Sequence, residues 1–170
     1  HIVFLTGAGI SQESGISTFR DQNGLWKNYS ITEVASPEGF AKNPQLVLDF
    51  YNARRKQLDE VVPNLAHELI AQLEQKYKVT VITQNVDDLH ERAGSTHVIH
   101  LHGELKKCRS VLDATKIFDY HYPLQLGDLA PDGGQLRPHI VWFGEAVPLI
   151  DLSIEVTQTA DLFVIVGTTM

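Results

Sequence analysis

Three short apolar-dominated, β-branched runs punctuate the chain, at residues 2–5, 79–82 and 162–166. Uniform apolarity over four or five positions marks strands of a parallel sheet buried on both faces, rather than half-exposed strands that alternate. Each run passes at once into a polar turn: Thr6-Gly7-Ala8-Gly9, Thr83-Gln84-Asn85 and Gly167-Thr168-Thr169. Between the first two, apolar residues recur at helical spacing. A helix is predicted over 44–58, opened by Pro44, and another over 63–76, carrying apolar residues at Leu65, Ala66, Leu69, Ile70 and Leu73. A further helix is expected over 149–159. The pattern predicts an α/β fold, a doubly wound Rossmann-like parallel sheet, whose ligands bind at the C-terminal ends of the strands. All three polar turns belong on that edge.

The stretch 105–137 departs from this pattern. Its short β-like pieces, at Val111-Leu112 and 116–120, are interrupted by Pro123, Pro131 and Gly133-Gly134. It reads as a small inserted module, leaving 1–104 and 138–170 to form the main domain. A length of 170 residues suits one such domain with a real core. The chain opens on one buried-type strand and stops just after another, and parallel strands need cover on both faces, so further C-terminal sequence is expected.

Charge and composition narrow the function classes. The formal charge is −7, from 14 Lys+Arg against 21 Asp+Glu, with no basic run, so nucleic acid is not an expected partner. No apolar run approaches the ~20 residues of a membrane span, and the first five residues read as a strand rather than a leader. The single cysteine, Cys108, allows no intramolecular disulfide. A cytoplasmic protein is expected, without a membrane partner.

The turns carry the chemistry. In Gly7-Ala8-Gly9-Ile10-Ser11, glycines after a strand let the backbone approach a pyrophosphate, or simply make a tight turn. The dehydrogenase fingerprint needs a third glycine where Gln12 stands and a later acidic residue closing a second strand; both are missing, which argues against a dehydrogenase. Gln84-Asn85-Val86-Asp87-Asp88-Leu89-His90 offers amides and a carboxylate suited to ribose hydroxyls and a carboxamide, or caps for the next helix. His97, His100 and His102 alternate along a β-like run and share a face. Histidine is the usual general base, which makes each a candidate, and Gly103 favours His102 by permitting close approach to a ligand.

Seven blocks then occur in a telling order: Gly7-Ala8-Gly9-Ile10-Ser11, Gly15-Ile16 with Thr18-Phe19-Arg20, Gly24-Leu25-Trp26, Gln84-Asn85-Val86-Asp87 with Leu89-His90, His102-Gly103, Val141-Trp142-Phe143-Gly144-Glu145 and Gly167-Thr168-Thr169. In order and spacing they resemble the sirtuin family, bacterial members above all, across essentially the whole chain. The resemblance implies an NAD⁺-dependent protein-lysine deacylase acting on acylated-lysine proteins. By similarity, Gly7, Ala8, Gly9 and Arg20 hold the phosphates and ribose, and Phe19 guards the reacting face. Asn85, Val86 and Asp87 surround the nicotinamide carboxamide, Gln84 lies near the ribose, and Gly167 and Thr168 lie on the adenosine side. Val141, Phe143, Gly144 and Glu145 pair with the substrate backbone as an added strand and line a lysine tunnel. In the implied reaction the acyl oxygen attacks C1′ of the ribose and expels nicotinamide; His102, with Asn85 and Asp87 in the catalytic set, then acts as base on the way to O-acyl-ADP-ribose.

Tyr51 and Arg54 stand three residues apart on a predicted helix and share a face. The matching pair in desuccinylase-type sirtuins binds a distal acyl carboxylate, a task suited to a guanidinium fork and a phenol donor. Ala35 matches a small residue that leaves room for the longer succinyl or malonyl chain; Arg55 and Lys56 are expected to be solvated neighbours. Most sirtuins bind structural zinc in the inserted module through two Cys-x-x-Cys pairs, whereas this module holds Cys108 alone. A mixed site with His121 lacks ligand spacing, so no metal is expected. The module is instead expected to hold by packing of Leu112, Ile117, Phe118, Tyr120 and Tyr122, with Cys108 inert. A weakly active NAD- or ADP-ribose-binding module and a protein ADP-ribosyltransferase are the alternatives; the retained base and the Tyr51–Arg54 pair weigh against them.

Overall fold

The three apolar runs become neighbours in one sheet. A computed structural model describes residues 1–16, 29–120 and 123–168. From β1 (Ile2–Thr6) the chain passes through α1 (Ala8–Gln12), α2 (Ile31–Val34), α3 (Pro37–Lys42), α4 (Pro44–Glu60) and α5 (Leu65–Leu73) to β2 (Val79–Thr83). Next come α6 (Leu89–Ala93), β3 (Val98–His100), β4 (Gly103–Ser110), β5 (Ile117–Asp119) and β6 (Leu136–Ile140), then α7 (Ile150–Gln158) and β7 (Leu162–Val166). The main sheet has the order β3-β2-β1-β7, parallel throughout. In β2 all five residues are buried, Thr80 and Thr83 along with Val79, Val81 and Ile82, as expected of an inner parallel strand.

Parallel pairing brings the loaded turns together. The Gly7 N–H donates to Val166 O (3.0 Å), the Gly9 N–H to Gly167 O (2.9 Å) and the Gln84 N–H to Thr6 O (2.9 Å). A Cβ on Gly9 would lie 2.8 Å from the Gly167 Cα, so the two turns close only because both residues are glycine.

Helix ends follow side-chain caps. Asn43 accepts from the Leu46 N–H ahead of Pro44, and α4 runs two residues beyond its predicted end. The next helix starts at Leu65 rather than at 63, because Asn64 caps it: its Oδ1 accepts from the Ala66 N–H at 3.0 Å. The same side chain donates to Ile10 O at 2.7 Å, tying α5 to the first turn.

The inserted module is an antiparallel sheet of order β5-β4-β6, which reaches from Gly103 to Ile140, slightly beyond the expected 105–137. Val111 and Leu112 fall after β4, where the Ser110 hydroxyl accepts from the Leu112 N–H and donates to Asp132. The packing differs from expectation in its members. Leu112 and Ile117 are exposed, 70% and 44%. Cys108 is fully buried with Leu48, Leu124, Ala130 and Leu136, with Phe118 and Tyr120 packed against this cluster. Tyr122, like His121, lies outside the described residues. Burial pushes the Cys108 thiol up to about 11, which keeps it protonated and unreactive. Among the described residues, no group of three or more His, Cys, Asp or Glu side chains could hold a metal ion.

Two other expectations are corrected here. Arg55 is buried, not solvated: its Nε donates to Leu105 O at 2.9 Å and locks α4 onto β4. Lys56 is exposed. Gly103 serves strand closure rather than ligand approach, since at φ +82 a Cβ there would strike the His139 carbonyl of β6. Gly127 also has positive φ (+94) but open space around it. Gly127→Ala is therefore expected to cost about 1 kcal/mol of backbone strain. Gly103→Ala should cost roughly 1–3 kcal/mol more from forced displacement of β6. Denaturant unfolding of both variants checks this; equal losses would contradict it.

Candidate active site

Behind the C-terminal ends of β1 and β2, Ser11, Asn85 and Asp87 form one buried unit. The Ser11 hydroxyl donates to Asp87 Oδ2 (3.0 Å) and accepts from Asn85 Nδ2 (3.0 Å). Asp87 Oδ1 accepts from the Leu89 N–H (3.2 Å), and the Asn85 N–H donates to the Thr83 hydroxyl (3.0 Å). Asp87 thus makes the local capping bond while its other oxygen is held by Ser11. Burial pushes the Asp87 carboxyl above its usual range, and the bonds from Leu89 and Ser11 work against that rise. Ser11 was legible only as part of the glycine motif; its orienting task depends on partners more than 70 residues away.

On the same edge, Gln84 Oε1 accepts from the Thr168 hydroxyl at 2.9 Å, which leaves the Gln84 amide NH₂ to donate. The N–H groups of Gly7 and Gly9 are committed to β7 and the turn after it, so these glycines serve turn closure; the Ala8 amide stands outside those bonds. Phe19 and Arg20 lie outside the described residues.

The structure separates the three histidines, which do not share a strand face: only His100 lies in β3, and His97 stands an odd three positions before it. His97 is exposed and pairs with the Thr96 hydroxyl (2.8 Å). His100 is buried between Asn85 O (3.2 Å) and the Glu91 carboxylate (2.6 Å). His102 is half-buried, with Nδ1 2.9 Å from Gln84 O. A carbonyl only accepts, so Nδ1 carries the proton and Nε2 is left with a free lone pair, the arrangement a base requires.

His102 lines a cavity of about 310 Å³ together with Gln84, Val86, Ala35, Tyr51 and Arg54. Residues 140–145 complete its wall. Tyr51 is 1% exposed and its hydroxyl accepts from Trp142 Nε1 at 2.9 Å. The half-buried Arg54 guanidinium lies 5.9 Å from the Tyr51 ring centre. Burial draws its pKa down, opposed by Tyr51 and Asp87, and a guanidinium stays charged regardless.

The 141–145 segment is a tight turn rather than an open strand, with Gly144 at φ +91. Internal bonds take the N–H groups of Val141 (to His102 O), Phe143 (to Ala35 O) and Glu145 (to Trp142 O). The Trp142 N–H goes to Glu145 Oε2 at 2.8 Å. A substrate strand added here would meet the Gly144 N–H and the carbonyls. The Glu145 carboxylate is committed inward: Arg109 Nη2 reaches both its oxygens (2.9 and 3.0 Å), and Arg137 does so from Nη1 (2.7 Å) and Nη2 (3.1 Å). Burial would raise Glu145, but Arg137, the Trp142 N–H and Arg109 hold it below the usual carboxylate range. Arg137 in turn stacks 3.2 Å from the centre of the Trp142 ring.

Beneath the site, the His67 and His90 rings lie 4.9 Å apart, and burial pushes each down to about 4. Below ~6.5 the unfolded chain binds protons that these two sites refuse, so their contribution makes stability fall from about pH 6.5 to 4. His100 acts in the opposite sense: burial opposes its charge, but Glu91 outweighs burial and holds its pKa above normal. Its contribution is present below ~6.5 and is lost as pH rises through the folded value. A His90→Gln variant isolates the pair: its stability-versus-pH slope over pH 6.5 to 4 should be shallower than wild type by up to ~1.4 kcal/mol per pH unit. Identical slopes in chemical denaturation would contradict this.

Residues 7–170 match the Sir2 family. A Helicobacter pylori (strain ATCC 700392 / 26695) protein named NAD-dependent protein deacylase is 59% identical over 170 residues, spanning 100% of this chain and 74% of that protein. A Bacteroides thetaiotaomicron protein of the same name is 57% identical over 176 residues, spanning 100% of this chain and 75% of its own length. Among solved structures, a mutant Sir2 homologue in complex with ADP-ribose aligns with a TM-score of 0.89 at 42% identity, over 98% of this chain and 69% of that one. A Sir2 homologue–NAD complex gives 0.87 at 43% identity, over 98% and 67%. The ordered glycine, amide, histidine and Trp-Phe-Gly-Glu blocks, the parallel sheet that gathers them and these likenesses agree: the chain belongs to the Sir2 family, the sirtuins.

Proposed function

We propose that this protein is an NAD⁺-dependent protein-lysine deacylase whose acyl pocket takes chains ending in a carboxylate, succinyl or malonyl, alongside acetyl. One observation carries the reading: a single cavity holds a histidine with a free Nε2 and, in the same walls, Ala35, Tyr51 and Arg54. The cation and the phenol are donors suited to a carboxylate, and Ala35 keeps the passage wide.

The donor set on the sheet edge fits NAD⁺. Asn85 and Asp87, locked by Ser11, present an amide and a carboxyl suited to the nicotinamide carboxamide, Gln84 offers its amide to the ribose, and Thr168, bonded to Gln84, stands on the adenosine side. Bound NAD⁺ would supply the C1′–nicotinamide bond, which breaks with loss of nicotinamide as the acyl oxygen bonds to C1′. His102 takes a proton at Nε2 from a ribose hydroxyl, while Gln84 O holds its Nδ1–H and fixes the ring. Val86, Trp142 and Phe143 add apolar walls that limit water. A module that only bound ADP-ribose would need neither this base nor an acyl pocket, and ADP-ribosyl transfer to protein has no use for a carboxylate clamp.

The test is nicotinamide release from NAD⁺ with succinyl-lysine and acetyl-lysine peptides, for wild type, His102→Tyr and Arg54→Met. Release by wild type should require the acyl peptide, and His102→Tyr should form no deacylated product. Arg54→Met should lower the succinyl-to-acetyl ratio of kcat/KM by roughly 10–100-fold, the value of a charge-assisted contact. An unchanged ratio would sink the carboxylate reading, and release indifferent to the peptide would sink the deacylase reading.

A further inference from the structure

Trp142 is 2% exposed and stands behind Tyr51, to whose hydroxyl its Nε1 donates. An indole N–H can only donate, so this bond fills an acceptor position on the phenol and leaves the phenol's own proton to be given elsewhere. Among the described residues, no acceptor takes that proton. Arg54, the neighbouring cation in the cavity wall, has donors only and cannot accept it. The remaining candidate is an acceptor that enters the cavity. Burial raises the Tyr51 pKa above its ordinary value against the pull of Arg54, so the phenol stays a neutral donor.

The indole is itself held by groups other than Tyr51. Its backbone N–H is fixed by Glu145, one ring face lies against the Arg137 guanidinium, and the Phe40 ring centre is 5.4 Å away. Arg137 is anchored by Glu145 and by Ile140 O at 2.9 Å. The direction of the Nε1–H bond is therefore set before any ligand arrives.

We propose that Trp142 is a positioning residue for acyl recognition: by occupying an acceptor position of Tyr51, it commits the phenol O–H to the cavity beside Arg54, completing a two-donor cationic seat for the distal carboxylate of a dicarboxylic acyl-lysine. The inference rests on the acyl-carboxylate reading proposed above. Without the indole N–H the phenol proton is free to turn away from the seat. An acetyl group ends in a methyl and offers no acceptor there, so the effect falls on acyl choice rather than on the reaction at His102.

The experiment compares kcat and KM for succinyl-lysine and acetyl-lysine peptides with NAD⁺ in wild type, Trp142→Phe, Tyr51→Phe and the double variant. Phenylalanine keeps an aromatic face under Arg137 and removes the N–H. The succinyl-to-acetyl ratio of kcat/KM is expected to fall about fivefold in Trp142→Phe, chiefly through KM. It should fall at least as far in Tyr51→Phe, and the double variant should be no worse than Tyr51→Phe, because Trp142 acts through that hydroxyl. A Trp142→Phe ratio equal to wild type, or equal losses on both peptides, overturns the inference; if Arg54→Met still collapses the ratio, the acyl-carboxylate reading survives. A ratio indifferent to Arg54→Met, Tyr51→Phe and Trp142→Phe alike overturns both. Should Trp142→Phe fail to fold by circular dichroism, Tyr51→Phe decides: an unchanged ratio overturns the inference, and a fall with the indole intact supports it.

Discussion

The Glu145 carboxylate lies between two nearly buried guanidiniums, Arg109 of β4 and Arg137 of β6, and also accepts the Trp142 N–H. Removing Glu145 would leave both nearly buried guanidiniums without their carboxylate; breaking a buried ion pair typically costs about 3–5 kcal/mol. Much of the site depends on this contact. It folds 141–145 into a turn instead of a strand, and that turn forms one wall of the cavity. It also anchors Arg137 against the Trp142 ring, and Trp142 reaches Tyr51 on α4. One ionic cluster, joining β4 and β6 to the turn after β6, thus supports one wall of a pocket to which α4 contributes Tyr51 and Arg54.

The other half of the site rests on close backbone approach. The turns after β1 and β7 meet at Gly9 and Gly167 with no room for a side chain, and the turn after β2 joins them through the Gln84–Thr168 bond. Ser11 then crosses from α1 to hold Asn85 and Asp87 in one orientation. These bonds are satisfied within the protein, so the polar surface offered to NAD⁺ is organised before it binds, which lowers the ordering cost of binding. Buried neutral His67 and His90 lie under this layer, and the His100–Glu91 pair flanks it.

What the sequence disclosed follows from the range of the physics involved. β1 and β2 were legible because burial on both faces demands apolar residues. β7 carries the same pattern but is the edge strand, with Leu162 and Phe163 exposed and the rest half-buried, and the polar turns of all three share one edge. Tyr51 and Arg54 were placed on one helix face by their spacing alone, and the cavity does bring both to His102. Long-range contacts were not legible. Arg55 looks like a surface residue until Leu105, 50 positions on, is seen to accept from it. Gly103 looks ligand-directed until β6 closes over it. Local spacing could not choose among His97, His100 and His102; the choice is made by Glu91 capturing one and Gln84 O orienting another. The module's packing was assigned to Leu112 and Ile117, but Leu112 falls beyond the end of β4 and Ile117 takes an exposed position of β5, while Cys108 of β4 enters the core.

The central claim is that one cavity joins the base to the carboxylate seat, and a crystal structure of the protein with a succinyl-lysine peptide and a non-reactive NAD⁺ analogue tests it most directly. The account predicts the distal carboxylate within ~3 Å of both the Tyr51 hydroxyl and the Arg54 guanidinium. It also predicts that the acyl carbonyl points toward the ribose beside His102 and that the 141–145 turn is unchanged. A succinyl chain whose carboxylate lies in solvent or on another cation, with Tyr51 and Arg54 turned away, would contradict it.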